Sequence, residues 1–373
     1  LASCFVYHVA NAKITGASVA ALFLVLGFGL FGKNLLNVWG IVAGVWLYSR
    51  FRGQPFATNI NVAFFGVALA PIFSEILFSS TLALPVRIPL AFATTLAIGF
   101  VLPAAAAQLA KAHMGFSLYN MGFTAGLVGT LVVALYMSYG FVARPVFVWT
   151  SGNDALLGGF LAALFGAMLA AGLWLDRNAL AGVKRLLQTS GQAPTDFLAL
   201  EGLGATLVTM LYIVVIGGDL NGPVIGAILT IVGFAAYGKH PRNITPIILG
   251  VFLGSLGKPW NIDDPSIQLA ALFGTTLAPI AGRFGWHWGV VAGFIHSSAA
   301  LTTGPMHAGL NLYNNGLAAG IVASVLVPVI IAIRAVTKPN EKPAGPPEPA
   351  SPPPPSPAAS ADPTVASGLR APR

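Results

Sequence analysis

His113-Met-Gly-Phe-Ser-Leu-Tyr-Asn-Met-Gly-Phe-Thr-Ala-Gly126 recurs later in the chain as His307-Ala-Gly-Leu-Asn-Leu-Tyr-Asn-Asn-Gly-Leu-Ala-Ala-Gly320. Eight of the fourteen positions are identical, which gives the pattern H-x-G-x-x-L-Y-N-x-G-x-x-A-G, here termed the His motif. Both copies lie at the edge of a long apolar segment. Chance apolar similarity rarely repeats His, Tyr and Asn at fixed offsets, so the pattern predicts a duplicated membrane unit.

Two shorter matches precede the two copies in the same order. Leu36-Asn37 and Leu220-Asn221 each open an apolar run. Phe92–Ala97 then matches Phe273–Ala278 as F-x-T-T-L-A. This order predicts two repeated halves rather than one repeated motif.

The duplication predicts a specific superposition. Residues 20–140 and 200–336 should coincide through a pseudo-two-fold axis, with Asn120 on Asn314 and Asn37 on Asn221. Basic residues flank the apolar runs in ones and twos, as is typical of cytoplasmic loops. They are Arg50, Arg52, Arg177, Lys184, Arg185, Lys239, Arg242, Arg334 and Lys338. This charge pattern makes the two His-motif helices antiparallel but the two Leu-Asn runs parallel, so we expect at least one re-entrant run and favour inverted halves.

Composition excludes a soluble monomer. The 373 residues are 56% hydrophobic and 8% charged, with a mean hydropathy of +0.79, whereas soluble domains have about a quarter charged residues. The net charge of +8 is spread between apolar runs and does not indicate nucleic-acid binding. The single cysteine, Cys4, excludes an internal disulfide. A start at Leu1, with no basic region before the apolar run, indicates a fragment rather than a signal peptide.

Nine apolar runs approach the roughly twenty residues that a membrane span requires. They are 14–31, 60–80, 86–109, 115–140, 154–175, 200–217, 266–282, 286–301 and 308–335. Three further runs are short or rich in glycine: 37–48, 221–237 and 245–256. Short, interrupted runs in both halves are typical of broken or re-entrant helices around a central site. The predicted fold is an all-α polytopic membrane protein with about 10–12 membrane segments.

The same patterns predict the domain order. Residues 1–140 form the first membrane repeat, 141–199 a linker helix and cytoplasmic loop, and 200–336 the second membrane repeat. Residues 337–373 contain 12 prolines and little hydrophobic bulk. Such a segment cannot bury a core, so it should be a disordered tail.

Polar side chains inside the apolar runs are the candidates for function, because they are costly in hydrocarbon unless they face the bundle interior. The predicted solute-binding residues are Asn37, His113, Tyr119, Asn120, Asn221, His307, Tyr313 and Asn314. Asparagine offers a donor and an acceptor without charge, which suits a polar, uncharged solute. The alternative is that these side chains hydrogen-bond between helices and fix their packing. Glu75, a carboxylate well inside an apolar run, is the candidate for proton coupling.

Neither a metal nor another cofactor is predicted. His287, His296 and His307 are spaced nine and eleven residues apart, which matches no zinc motif. The sequence shows no Ser-His-Asp arrangement, phosphate loop or nucleotide fingerprint. We therefore expect a protein that is not an enzyme. The alternative from another class is a membrane-embedded enzyme that uses His113, His296 or His307 as acid, base or ligand.

The paired His motifs, with Gly32-Lys-Asn-Leu-Leu-Asn-Val-Trp39 upstream, resemble the bacterial membrane-protein family called domain of unknown function 1576. That resemblance covers about residues 15–336 and implies no activity. A second resemblance, to urea transporters, rests on two Asn-bearing openings and two later Tyr-Asn elements. These are Leu36–Gly40, Leu220–Pro223, Tyr119–Gly126 and Tyr313–Gly320. It implies a channel-like fold, although the histidines and the helix at 154–175 depart from that pattern.

Together the patterns predict a multi-pass protein of the inner (plasma) membrane. It would transport or conduct a small polar solute between two repeated halves. Its expected partners are the solute and the lipid bilayer, and no binding of nucleic acid is expected. The sequence leaves open whether the protein forms a homo-oligomer. A membrane scaffold that presents the Pro-rich tail is a third alternative.

Overall fold

The computed structural model describes residues 1–79, 82–143, 146–175 and 198–337. These ranges fold into helices joined by turns and contain no β-strand. In chain order the helices are α1 (Ala2–Val9), α2 (Gly16–Phe28), α3 (Trp39–Phe51), α4 (Ile60–Gly66), α5 (Ala70–Ser74), α6 (Leu84–Ala112), α7 (Asn120–Ser138), α8 (Asp154–Leu175), α9 (Leu198–Ile216), α10 (Gly222–Gly233), α11 (Pro241–Gly257), α12 (Pro265–Gly274), α13 (Ala278–Phe284), α14 (Trp286–Thr303) and α15 (Asn314–Thr337). The predictions for the cytoplasmic loop at 176–197 and for the tail at 338–373 fall outside the described residues.

Five apolar helical stretches are long enough to cross a membrane. They are Ile60–Phe78, Leu84–Ala112, Asn120–Ser138, Asp154–Ala171 and Asn314–Thr337. Large apolar side chains also face outward, such as Leu131 on α7 and Val325 on α15, which are 71% and 64% exposed. Outward apolar surface on long helices is what lipid contact requires. The prediction of an all-helical membrane protein is confirmed at this level, although the run at 14–31 forms only the 13-residue α2.

Two helices are interrupted in the same way. The 3₁₀ turn Val67–Leu69 separates α4 from α5, and the 3₁₀ turn Thr275–Leu277 separates α12 from α13. Each turn lies in the sequence F-G-x-x-L-A-P, at Phe65–Pro71 and Phe273–Pro279. The proline after each turn has no N–H, so the helical hydrogen-bond ladder is broken there. The runs predicted at 60–80 and 266–282 are therefore broken helices.

A backbone carbonyl in each break accepts a hydrogen bond from a distant His motif. Leu118 N donates to Thr276 O at 3.1 Å, and Leu312 N donates to Ala68 O at 3.0 Å. Non-helical backbone inside a membrane must find such partners within the protein. The first His motif is thus fixed to the second broken helix, and the second His motif to the first.

The breaks correct the predicted F-x-T-T-L-A match. Phe92–Ala97 lies inside the continuous helix α6, whereas Phe273–Ala278 contains the interruption. The segment that shares the interruption is Phe65–Pro71. The match was wrong because it followed the identical threonines, while the physical feature common to both sites is the Gly and Pro spacing.

Paired glycines bring neighbouring helices close together. A Cβ on Gly44 of α3 would stand 2.8 Å from Gly99 Cα of α6. A Cβ on Gly250 of α11 would stand 3.0 Å from Gly293 Cα of α14. Small residues permit this approach, which is a common way to pack helices in membranes.

Helices α2 and α10 pack against each other in opposite directions. Gly16, at the start of α2, faces Ala236 just beyond α10, whereas Gly27, near the end of α2, faces Gly226 within α10. Both helices begin at a side-chain cap. Ser18 N donates to Thr15 Oγ1 at 3.3 Å, and Val224 N donates to Asn221 Oδ1 at 3.1 Å, which satisfies one open N–H at each helix start.

Candidate functional site

The first His motif closes on itself around its histidine. Ser117 N donates to His113 Nδ1 at 3.4 Å, so the ring proton lies on Nε2, which donates to Asn120 Oδ1 at 3.0 Å. Asn120 Nδ2 donates in turn to Ala106 O on α6 at 3.1 Å. The neutral imidazole and the amide together tie the end of α6 to the start of α7.

The second His motif makes the same contacts. Asn311 N donates to His307 Nδ1 at 3.3 Å, and His307 Nε2 lies 3.0 Å from Asn314 Oδ1. Asn314 Nδ2 donates to Ala300 O of α14 at 2.8 Å. Both His-Asn pairs therefore use their hydrogen-bonding groups within the protein, as expected of a helix clamp.

Asn120→Ala and Asn314→Ala are each expected to lower the melting temperature of the purified protein. Each change leaves an imidazole N–H and a helix carbonyl without a partner, which costs about 1–3 kcal/mol in proteins generally and on average about 0.6 kcal/mol for hydrogen bonds in membranes. The control is the exposed Asn261→Ala. An unchanged melting temperature together with lost solute flux would instead assign the asparagines to the solute pathway.

A second repeated turn was missed by the sequence analysis. Gly32-Lys-Asn-Leu-Leu-Asn37 and Gly238-Lys-His-Pro-Arg-Asn243 share the pattern G-K-x-x-x-N, here termed the GK turn. Both glycines adopt the left-handed region, with φ of 94° and 98°, where side chains other than that of glycine are strained. The signal was present in the sequence, but only three of six positions are identical.

The two GK turns are closed by the same hydrogen bonds. Asn37 Nδ2 donates to Gly32 O at 2.9 Å, and Asn243 Nδ2 donates to Gly238 O at 2.9 Å. The Oδ1 of each asparagine accepts from a backbone N–H three residues earlier, at 3.0 Å in both turns. Asn37 therefore matches Asn243, and the predicted match of Asn37 with Asn221 is wrong because Asn221 caps a helix instead.

Both GK turns bury a lysine. Lys33 is 7% exposed and Lys239 is fully buried. The assignment of Lys239 to a cytoplasmic loop as a topology signal is therefore wrong. Lys239 Nζ donates to Tyr119 Oη and, at 2.8 Å, to Thr275 Oγ1. Lys33 Nζ lies 4.7 Å from the centroid of the Phe28 ring and has no hydrogen-bond partner among the described residues.

Aromatic rings separate the two lysines. Tyr119 stacks on Tyr313 with their centroids 4.7 Å apart. Phe234 meets Tyr119 edge-on at 4.7 Å, and Phe28 meets Tyr313 edge-on at 5.3 Å. Each lysine thus lies against one phenylalanine, and each of these phenylalanines packs against one tyrosine of the central pair.

A cavity of about 120 Å³ opens beside the tyrosine pair. Its wall is formed by Ala17, Phe65, Leu118, Tyr119, Asn120, Met121, Phe234, Tyr237 and Tyr313. The first six come from before the linker helix α8 and the last three from after it. Both parts of the chain therefore contribute to one space, with aromatic faces and an asparagine on its wall.

Comparison with models of known protein families identifies the family of this chain. The model of the family described as "Protein of unknown function (DUF1576)" matches residues 1–138 and 175–332. The chain belongs to the DUF1576 family. No curated protein and no solved structure matches the chain. The predicted resemblance to this family is confirmed, whereas the resemblance to urea transporters finds no support.

Each of the two DUF1576 segments holds one GK turn, one F-G-x-x-L-A-P break and one His motif. Of the predicted solute-binding residues, Tyr119, Asn120 and Tyr313 reach the wall of the shared cavity. His113 and His307 are not among the residues of this wall and pair with Asn120 and Asn314. Asn37 donates to Ser74 Oγ at 3.1 Å as well as closing its turn.

The remaining candidates lie elsewhere. Asn221 Nδ2 donates to Thr150 O at 3.2 Å beside the α10 cap. Glu75 is buried at the start of a π-helical turn, Glu75–Ser79. In the F-G-x-x-L-A-P register, the residue equivalent to Glu75 is Arg283. Among the described residues, no group of three His, Cys, Asp or Glu side chains is arranged to hold a metal ion.

Proposed function

We propose that this protein is a transporter or channel of the inner (plasma) membrane that moves a small polar solute between two repeated halves. The first half comprises α2–α7 and the second α10–α15. The support is the order of shared features, since each half has a GK turn, a broken helix and a His motif in the same sequence order. Repeated halves with broken helices at their contact are typical of membrane transporters.

The proposed halves are inverted relative to each other. In the corrected register α2 corresponds to α10, and these two helices pack antiparallel. Equivalent helices that pack about an axis in the membrane plane run in opposite directions, whereas an axis along the membrane normal would make them parallel. The antiparallel contact therefore favours an inverted repeat.

The observation that carries the transport proposal is the shared cavity. Tyr119 and Tyr313 occupy equivalent positions of the two His motifs and stack at its wall. Aromatic faces and a few polar groups on a preformed space suit a small ligand. The cavity lies where the halves meet, which is where alternating-access transporters hold their substrates.

Ala17→Phe is expected to reduce solute flux at least about tenfold, because its ring would fill space that the cavity wall now leaves open. The purified protein would be reconstituted in liposomes, and entry of urea, glycerol, formate and acetate would be measured. Melting temperature should change little. The control is Ala93→Phe, on the exposed face of α6. The proposal fails if no tested solute crosses faster than in protein-free liposomes, or if Ala17→Phe transports like the wild type.

The enzyme alternative gains less from the geometry. A histidine acting as acid or base needs a ring nitrogen available to a substrate. His113 and His307 have both nitrogens in hydrogen bonds. His296 Nε2 pairs with Asn315 Oδ1 at 3.1 Å, which leaves Nδ1 open but fully buried.

A further inference from the structure

We propose that Lys33 and Tyr313 bind a monovalent oxyanion, of which a carboxylate is the best-fitting class. This inference rests on the proposed transport function, because it names the class of solute that the pathway would carry. The binding site itself stands on separate observations around the first GK turn.

The first observation is a pair of buried polar groups without partners. Lys33 is 7% exposed and Tyr313 is 1% exposed. Neither Lys33 Nζ nor Tyr313 Oη has a hydrogen-bond partner among the described residues. Phe28 contacts both side chains, since Lys33 Nζ lies over its ring and Tyr313 meets it in a T-shaped contact. An unpartnered donor in such a place is costly, so native proteins rarely keep one without a use.

The second observation is that the other GK turn has this arrangement filled. Lys239 donates to Tyr119 Oη and to Thr275 Oγ1. The F-G-x-x-L-A-P register puts Val67 at the position of Thr275. Lys33, in the first half, therefore has no counterpart of the Thr275 hydroxyl that accepts a hydrogen bond from Lys239. The two sites share a scaffold, but in the first half an acceptor is missing.

An anion supplies what the first site lacks. The Lys33 amino group, protonated beside a bound anion, and the phenol O–H are both donors, and a carboxylate has two oxygens that accept charge-assisted hydrogen bonds. A neutral amide would bring a single acceptor oxygen for the two donors, and at least one of its own N–H groups would find no acceptor beyond the Tyr313 oxygen. The apolar surroundings, with Phe28 and the tyrosine pair, disfavour a dianion because its desolvation costs more. These features favour a monovalent oxyanion over urea-like solutes and over sulfate.

Thermal unfolding of the purified protein in detergent tests the site without any transport assay. A ligand that binds the folded state raises the melting temperature in a saturable way. Sodium formate and sodium acetate would be compared with formamide and acetamide, their neutral counterparts, and with sodium sulfate, all at constant ionic strength in sodium chloride. We expect a saturable rise with formate or acetate, and none with the amides or sulfate.

Two variants and one control locate the binding. Lys33→Met, which removes the charge with little change of length, should raise the half-saturating concentration at least about tenfold, the usual effect of losing one strong interaction. Tyr313→Phe should raise it severalfold. The exposed Lys111→Met on α6 should leave it unchanged. Equal effects of amides and carboxylates, no saturable effect of either anion, or anion binding that survives Lys33→Met would overturn the inference.

The outcomes also separate this inference from the proposed function. Saturable carboxylate binding that depends on Lys33, without flux of any solute in liposomes, would leave the anion site standing and overturn transport. Flux of urea or glycerol, without carboxylate binding, would keep the transport proposal and overturn the anion site. A Lys33-dependent effect of sulfate would overturn the restriction to monovalent anions.

Discussion

Lys33→Met is expected to raise the melting temperature in the absence of added anions, whereas Lys239→Met is expected to lower it. Lys33 buries an amino group with no hydrogen-bond partner among the described residues. Replacing such a group by an apolar side chain of similar length removes an unfavourable burial term of about 1–3 kcal/mol. Lys239, in contrast, holds Tyr119 and Thr275 together, so its loss leaves the Tyr119 hydroxyl buried without that contact.

Melting curves of both variants beside Lys111→Met would test this opposition. Lys111 is exposed and, in the part of the chain that the structure describes, hydrogen-bonds the neighbouring Gln108 side chain at 3.0 Å, so it reports the effect of losing a charge at the surface. A gain in stability at Lys33 would mean that the residue is kept for a reason other than folding, as is common at functional sites. Equal losses at Lys33 and Lys239 would show instead that both lysines stabilise the fold.

Gly122→Ala and Gly316→Ala are expected to destabilise the protein strongly, each by about 1–3 kcal/mol. Helices α7 and α15 meet at these two residues. A Cβ on Gly122 would stand 2.9 Å from Gly316 Cα, and a Cβ on Gly316 would stand 2.7 Å from Gly122 Cα. Because the obstacle is backbone rather than a flexible side chain, the helices would have to move apart, and the Tyr119–Tyr313 stack one turn away would move with them.

Gly166→Ala is the matched control, because it lies on α8 with no atom within 4 Å of its added Cβ. There the change should be neutral or slightly stabilising, since alanine favours helix over glycine. Thermal unfolding of the three variants gives the comparison. If Gly122→Ala melts at the wild-type temperature, the close backbone contact between α7 and α15 at Gly122 and Gly316 is contradicted.

The His motif and the helical membrane fold could be predicted from the sequence for a physical reason. Membrane spans can be recognised from the length and apolar composition of a segment, and eight identities in fourteen positions are not expected by chance. The contact between His113 and Asn120 could not be predicted from their spacing, because residues seven apart share a face only in a helix, whereas a non-helical turn joins α6, which ends at Ala112, to α7, which begins at Asn120. The choice between clamp and pathway could not be made, since it depends on whether the amide finds a protein partner, here Ala106.

The GK turns were harder to recognise because their meaning is three-dimensional. A lysine between apolar runs has the pattern of a topology signal, and nothing local shows that Lys33 and Lys239 fold inward. The difference between them depends on residues of the broken helices, Val67 in one half and Thr275 in the other. The register that relates those two residues became evident only once both interruptions were located.

The crossed hydrogen bonds between the His motifs and the broken helices impose an order on folding during synthesis. While the chain emerges from the ribosome, the Ala68 carbonyl cannot form its hydrogen bond with Leu312 N, because Leu312 is synthesised near the end of the membrane region. Until then the interruption in the first broken helix lacks this hydrogen bond, which lipid cannot supply. The early helices can insert one by one, but their final arrangement can form only after the last helix has arrived, so maturation of the first half is post-insertional.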